Sequence, residues 1–193
     1  MVKIGILGDI GSGKSFVAKS FGYPIFDADA EVAKIYQKDK KIFRKLKKKL
    51  PKFFTSFPIN KKDVTEAIMH NKTNLNKIVS IIHREIRKKL SKFLKKNEKQ
   101  KVLILDIPLF LENRINKKDD VLIFVDAKKP EILKRLKKRK NFNKKLIDRF
   151  KKIQLPLDYK KRKSQFIIKN NFRPKTIKKY VKYILKETLQ WKK

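Results

Sequence analysis

The sequence predicts an α/β fold with a parallel sheet, and three observations carry that expectation. Short apolar runs of strand length alternate with longer stretches of helical periodicity. Residues 2–7 (VKIGIL) run into Gly8, whereas residues 101–106 (KVLILD) and 121–126 (VLIFVD) each end in aspartate. All five glycines, Gly5, Gly8, Gly11, Gly13 and Gly22, fall in the first 22 residues. Glycine serves where the backbone must take positive φ or approach a ligand closely, so one loop concentrates that need.

The elements follow in order. Residues 2–7 read as a buried parallel strand. Residues 14–21 carry Val17, Ala18 and Phe21 at helical spacing, and residues 23–26 form a second apolar run that stops at Asp27-Ala28-Asp29. Residues 30–50 read as one basic helix before Pro51 and Pro58 break the chain. Residues 62–96 read as mostly helical, with Ile78, Ile81, Ile82, Ile86, Leu90 and Leu94 on one stripe. Phe53, Phe54 and Phe57, confined between the two prolines, read as core or pocket wall. Strands at 101–106 and 121–126 precede a basic helical hairpin over residues 130–153, centred on residues 141–143. A last strand, FIIK at 166–169, leads into a helix over residues 174–191. The expected order is β-α-β, a helical excursion over residues 30–100, then β-α-β-α-β-α, with no internal repeat and no linker to a second independent domain. Right-handed crossovers place the strand C-terminal ends, and hence the loop at 8–15, Asp27, Asp29, Asp106 and Asp126, along one ligand-binding edge.

Composition excludes several chemistries. There is no cysteine, so disulfides, thiol catalysis and Cys-ligated metals are ruled out. Two histidines, His70 and His83, cannot build a multi-His metal site unaided. No apolar run approaches the roughly 20 residues of a membrane span, and no signal-peptide core is visible, which leads us to expect a soluble cytoplasmic protein. Fifty-five Lys+Arg against 18 Asp+Glu give a formal charge of +37. Clustered cations can neutralise nucleic-acid phosphates. Only nine of these cations are arginine, the residue that backbone clamps and base readers favour. The lysines spread along the whole chain beside abundant Ile, Asn and Phe, as a compositional bias would spread them.

Gly8-Asp9-Ile10-Gly11-Ser12-Gly13-Lys14-Ser15 matches the phosphate-binding pattern G-x-x-x-x-G-K-[ST] at every fixed position. Its glycines let successive N–H groups curl around phosphate oxygens, and the pattern sits between a strand and a helix, as the chemistry needs. Gly11, Ser12, Gly13 and Phe16 would supply backbone N–H groups, with the Phe16 ring packing inward. Lys14 would reach the β and γ phosphates, and the Ser15 hydroxyl would ligate Mg²⁺. A nucleoside triphosphate is the implied ligand, which leaves a small-molecule kinase, a GTPase or a nucleic-acid-dependent ATPase. The guanine-reading pattern N-K-x-D occurs at residues 116–119, but ahead of a strand instead of after one. A kinase needs a carboxylate near the γ-phosphate. Asp27 and Asp29 either serve there or cap the helix that follows.

The chain resembles the dephospho-coenzyme A kinases. The resemblance rests on the order of IGILGDIGSGKS (4–15), PIFDAD (24–29), HREIR (83–87), LDIPLFLE (105–112), KRLKKR (134–139), IQLPLDYKKR (153–162) and FIIKNN (166–171). It implies a P-loop kinase-like three-layer α/β/α domain with a five-stranded parallel sheet, a helical acceptor-binding insertion over residues 30–100 and a small lid over residues 134–150. It implies ATP-dependent phosphorylation of the ribose 3′-hydroxyl of dephospho-CoA, with Mg²⁺ as cofactor. Asp29 becomes the general base, Asp106 helps hold Mg²⁺ through water, and Arg139 swings in from the lid. Asp27, His83, Arg87, Pro108, Leu109 and Phe110 face the acceptor, and Asn170 packs around the adenine of ATP. No specific nucleic acid and no membrane are expected as partners, and the protein would be a monomer or weak homo-oligomer. Three positions depart from the family pattern: Asp9 stands where glycine is usual, Arg84 where proline follows the histidine, and Gln165 where an acidic residue is common. The competing expectation, from LPLDYKKRK and the net charge, is a nucleic-acid-binding NTPase.

Overall fold

The computed structural model describes residues 1–139 and 142–190. They fall into two compact units, one drawn from Met1–Asp27, Lys96–Phe142 and Ile153–Lys193, the other from Ala28–Lys95 and Asn143–Lys152.

The first unit is built on a five-stranded, wholly parallel sheet of order β2-β3-β1-β4-β5. Its strands are β1 (Val2–Gly8), β2 (Ile25–Asp27), β3 (Val102–Asp106), β4 (Val121–Asp126) and β5 (Phe166–Lys169). The expected parallel sheet and its strands are therefore present. The side-chain alternation of β1, β3 and β4 sorts the core into two layers. Ile4, Ile6, Val102, Ile104, Ile123 and Val125 join helices α1 (Lys14–Ser20) and α9 (Pro174–Gln190), through Val17, Ile177, Val181 and Ile184, in one cluster. On the opposite face Phe110 lies on Gly5, where an added Cβ would come within 2.4 Å of the ring. That spacing explains a glycine in mid-strand, since a side chain there would displace the aromatic.

Two expectations need correction here. The turn-rich segment between β3 and β4 holds no helix among the described residues, because Phe110 is buried and Asn113 and Ile115 bond back to Leu109 and Phe110. Conversely, helix α8 (Leu157–Lys163) was not foreseen; Pro156 sets its N-terminus and its basic sequence disguises it. Helix α6 (Lys129–Lys137) follows β4, and Lys140 and Asn141, within the segment expected to be a lid, lie outside the described residues, as does Trp191.

The second unit is helical: α2 (Ala28–Lys38), α3 (Lys40–Lys49), α4 (Lys61–His70), α5 (Lys72–Lys96) and α7 (Lys144–Lys152). The single helix expected over residues 30–50 is broken at Asp39, whose carboxylate accepts the Ile42 N–H at 3.0 Å and so starts α3. The stretch 62–96 is likewise divided at Asn71, which is extended and caps the Thr73 N–H. Ile35, Ile42, Leu46, Phe54, Ile78, Ile82 and Ile86 are buried, so Phe54 is core as expected. Burial pushes the Tyr36 hydroxyl up to about 12. Arg149 of α7 donates to the carbonyls of Ile68 and Met69, both at 2.8 Å, satisfying the last turn of α4. No helix among the described residues is long and apolar enough to cross a membrane.

Candidate active site

The loop between β1 and α1 takes the form that phosphate binding requires. Gly8, Gly11 and Gly13 have φ of 147°, 87° and 93°. The Lys14 ammonium folds back across the loop, donating to the Gly8 carbonyl at 3.2 Å and the Asp9 carbonyl at 2.8 Å. The Asp9 carboxylate accepts the Ile10 N–H at 2.7 Å, so its charge is spent on the loop backbone. Gly11 backs onto Ile132 and Leu136 of α6, and Gly13 onto Asn170 and Phe172, leaving neither room for a side chain. Ser12 is fully buried, and its carbonyl accepts the Asn170 amide at 2.7 Å. The Phe16 ring, expected inward, is 44% exposed, because it faces outward one residue before the buried pair Val17 and Ala18.

Parallel pairing of β2 with β3 places Asp27 in register with Asp106. Asp106 is only 5% exposed and takes a hydrogen bond from the Ser15 side chain. Burial raises its carboxyl above the ordinary aspartate value, with Asp27 adding to the rise, while Ser15, Lys14 and Lys19 pull it back. A carboxylate and a hydroxyl touching at a phosphate loop form an all-oxygen donor pair of the kind Mg²⁺ takes. Among the described residues no cluster of three or more acidic or histidine side chains could cage a metal alone, so the ion's remaining ligands would be phosphate and water.

After Asp106, Pro108 and Leu109 are half-buried and Phe110 fully buried. This turn is tied down by Glu112, whose carboxylate accepts the Leu155 N–H at 3.0 Å and pairs with Lys160. Lys160 is 1% exposed, one of the most buried side chains in the protein. Beyond β4 and β5 opens a cleft of about 880 Å³, lined by Asp126, Lys128, Glu131, Asn170, Arg173 and Tyr180 among others. Asn170 itself is buried and bonds both Ser12 and the Phe172 N–H. Arg139 is exposed just past the end of α6. Four residues at this edge had no reading of their own in the sequence: Glu112, Lys160, Arg135 and Phe172. Glu112, Arg135 and Lys160 stood inside quoted segments, Lys160 hidden among like residues, and nothing marked Phe172. The tetrapeptide at 116–119 lies ahead of β4, with Asp120 bonded to Lys117 and paired with Lys3 near the start of β1, so it occupies the other end of the sheet.

In the helical unit Asp29 stands in the first turn of α2, two residues past Asp27. His83 and Arg87 share one face of α5, four residues apart. Burial, then the Arg87 charge, holds the His83 imidazole below its ordinary value. Arg84 is exposed in mid-helix, where a proline would have broken α5. Gln165 accepts the Leu122 N–H at 2.7 Å, extending the pairing of β4 with β5.

Residues 2–175 match the family model described as dephospho-CoA kinase. The chain belongs to the dephospho-CoA kinase family. A dephospho-CoA kinase of Wolbachia sp. subsp. Brugia malayi is 34% identical over 170 residues, which are 86% of this chain and 87% of the relative. The crystal structure of TT1252 from Thermus thermophilus superposes with a TM-score of 0.77 at 24% identity, covering 96% of this chain and 97% of that one. A dephospho-CoA kinase from Campylobacter jejuni superposes with a TM-score of 0.60 at 23% identity and 96% coverage of both chains. The phosphate loop, Asp106 and the Pro108–Phe110 turn all lie inside the matched dephospho-CoA kinase region.

Proposed function

We propose that this protein transfers the γ-phosphoryl group of ATP to the ribose 3′-hydroxyl of dephospho-CoA, completing coenzyme A. The observation that carries the reading is the phosphate loop with Ser15 bonded to the buried Asp106, in a chain of this family. Gly11, Ser12, Gly13 and Phe16 offer N–H groups to the triphosphate, and Lys14 leaves its two loop carbonyls for phosphate oxygens. Ser15, with Asp106 acting through water, would hold Mg²⁺, which would supply neutralisation of charge on the phosphates. Asp29 takes the proton of the acceptor hydroxyl as its oxygen bonds to phosphorus, and ADP departs with the bridging oxygen. Arg139 stabilises the charge spread over the transferring group. Asp27, His83, Arg87, Pro108 and Leu109 orient dephospho-CoA, with the fully buried Phe110 supporting their turn from the core, and the cleft bordered by Asn170 takes the adenosine end of ATP.

We read the two units as parts of one kinase domain, with the acceptor-binding insertion at residues 30–100 and a lid at residues 134–150, acting in the cytoplasm as a monomer or weak homo-oligomer. No specific nucleic-acid partner is needed, since both substrates are polyanions that a positive field captures. The test is direct. Purified protein with Mg²⁺, ATP and dephospho-CoA should yield CoA phosphorylated at the ribose 3′ position, read by ³¹P NMR. Turnover with shikimate or a nucleoside but not with dephospho-CoA would overturn the assignment. ATP hydrolysis stimulated by RNA at near-physiological salt would favour the nucleic-acid reading instead.

A further inference from the structure

Phe172 has φ of 60°, a left-handed conformation that crowds the Cβ of any residue but glycine. A bulky aromatic persists there because its surroundings hold it. Its N–H donates to the Asn170 side-chain oxygen at 2.8 Å, and the nitrogen of the same amide donates to the Ser12 carbonyl at 2.7 Å. One buried asparagine thus clamps the phosphate loop to the turn that carries Phe172. The clamp lays the ring against the loop, where a Cβ on Gly13 would stand 3.4 Å from it. Over the same ring lies the Arg135 guanidinium of α6, 4.4 Å from the centroid.

The chemistry of that last contact is specific. A carboxylate would hold a guanidinium by cancelling its charge. An aromatic face holds it through the ring quadrupole and leaves the full positive charge available. Strain in a non-glycine residue, spent on seating such a ring beside a ligand loop, is the pattern expected of a site that needs a group in a set place. We propose that Phe172 is a positioning residue that holds Arg135 beside the phosphate loop as a further cation for the phosphates of the nucleoside triphosphate. The inference rests on the ATP reading of the loop and extends it to two residues with no place in the phosphate-binding pattern. Arg135 binds the nucleotide; Phe172 acts only through Arg135.

A double-mutant cycle on the full chain tests this, with the dissociation constant of Mg-ATP measured by calorimetry and melting temperature as the control. Phe172→Leu keeps an apolar side chain and the backbone strain but removes the ring face, and should weaken ATP binding about two- to fivefold, the range a surface cation–π contact supports. Phe172→Tyr should restore wild-type affinity. In an Arg135→Gln background, already weakened, Phe172→Leu should change nothing further. Equal losses in both backgrounds would show that the ring acts by packing on Gly13, and no loss in either would show that Arg135 needs no holder; each overturns the proposal. If Phe172→Leu does not fold, Phe172→Met replaces it in the same cycle. Wild-type protein that binds no ATP at all would bring down the ATP reading itself, a result distinct from either.

Discussion

The sheet unit and the helical unit treat charge in opposite ways. At the sheet, charged groups go inside: Asp106 and Asp120 are each 5% exposed and Lys160 is 1% exposed. Each has a partner, Ser15 for Asp106, Lys3 for Asp120 and Glu112 for Lys160. In the helical unit the charges ride on helix exteriors: Lys62–Glu66 stands largely in solvent, and Glu31, half-buried, is shared by Lys34 and Lys89. A buried charge without a partner costs several kcal/mol, so burial forces each such group into one place. An exposed lysine is screened within about 8 Å at physiological ionic strength and has no such obligation. Placement, not abundance, turns a cation into chemistry here.

The largest expected effect tests that contrast inside the phosphate loop. Lys14→Ala should reduce phosphoryl transfer by about 10²–10³ or more in a coupled assay, the scale seen when a donor to the transition state is removed. Lys41→Ala or Lys88→Ala, on exposed or half-exposed helix surfaces, should stay within about twofold. Comparable losses on both sides would erase the distinction between the units.

Next in size is the buried pair. Lys160→Met leaves Glu112 charged in an apolar site and should cost about 3–5 kcal/mol of stability in chemical denaturation. Adding Glu112→Leu should recover most of it, because a well-packed apolar pair replaces a buried ion pair at little cost. A double variant as unstable as the single one would mean that the turn after β3 depends on the charges themselves.

Asp106→Asn should separate function from stability. The Asp106 carboxyl is raised above 3.8, so the folded protein holds a proton that the unfolded chain gives up. Stability is therefore lost as pH rises from the unfolded value through the folded one, and the deficit persists at neutral pH. The asparagine variant carries no such deficit. It should melt at a higher temperature than wild type at pH 7.5 while transfer falls about tenfold or more for want of the carboxylate proposed to hold Mg²⁺. A lower melting temperature would show that the charge at position 106 stabilises the fold.

The same contrast explains what could be read in advance. The strands were legible because a parallel strand buried on both faces is a short apolar run, and β3 (Val102–Asp106) and β4 (Val121–Asp126) need nothing else. The phosphate loop was legible because its backbone accepts only glycine at fixed positions. The break at Asp39 was hidden, since helical periodicity runs through it and only the cap divides α2 from α3. Helix α8 and its buried Lys160 were hidden by lysine-rich surroundings, where one indispensable cation looks like its neighbours. Phe172 was invisible because nothing in an aromatic residue announces φ of 60°. Among the residues proposed to face the acceptor, His83 and Arg87 stand on a helix where periodicity reports only which face is apolar, so their reading came from the family resemblance alone.

The smallest effect concerns one half-buried group in the charge-exposing unit. Burial and then Arg87 hold the His83 imidazole below 6.5, so the unfolded chain takes up a proton before the folded protein does. Stability contributed by keeping His83 neutral is present above the unfolded value and is lost as pH falls from there through the folded one. His83→Gln should therefore lose less stability than wild type between pH 7.5 and 5. Arg87→Gln removes only the lesser cause, and should raise the His83 midpoint part of the way, read from the imidazole proton shift by NMR; an unmoved midpoint would discard the electrostatic coupling of the pair. The chain has only two histidines, so the signal is assignable with a single His70→Gln control. Dephospho-CoA adds the functional half of the argument. If its phosphates engage Arg87, they cancel the charge that repels an imidazolium, and saturating dephospho-CoA should raise the His83 midpoint in wild type and shift it less in Arg87→Gln.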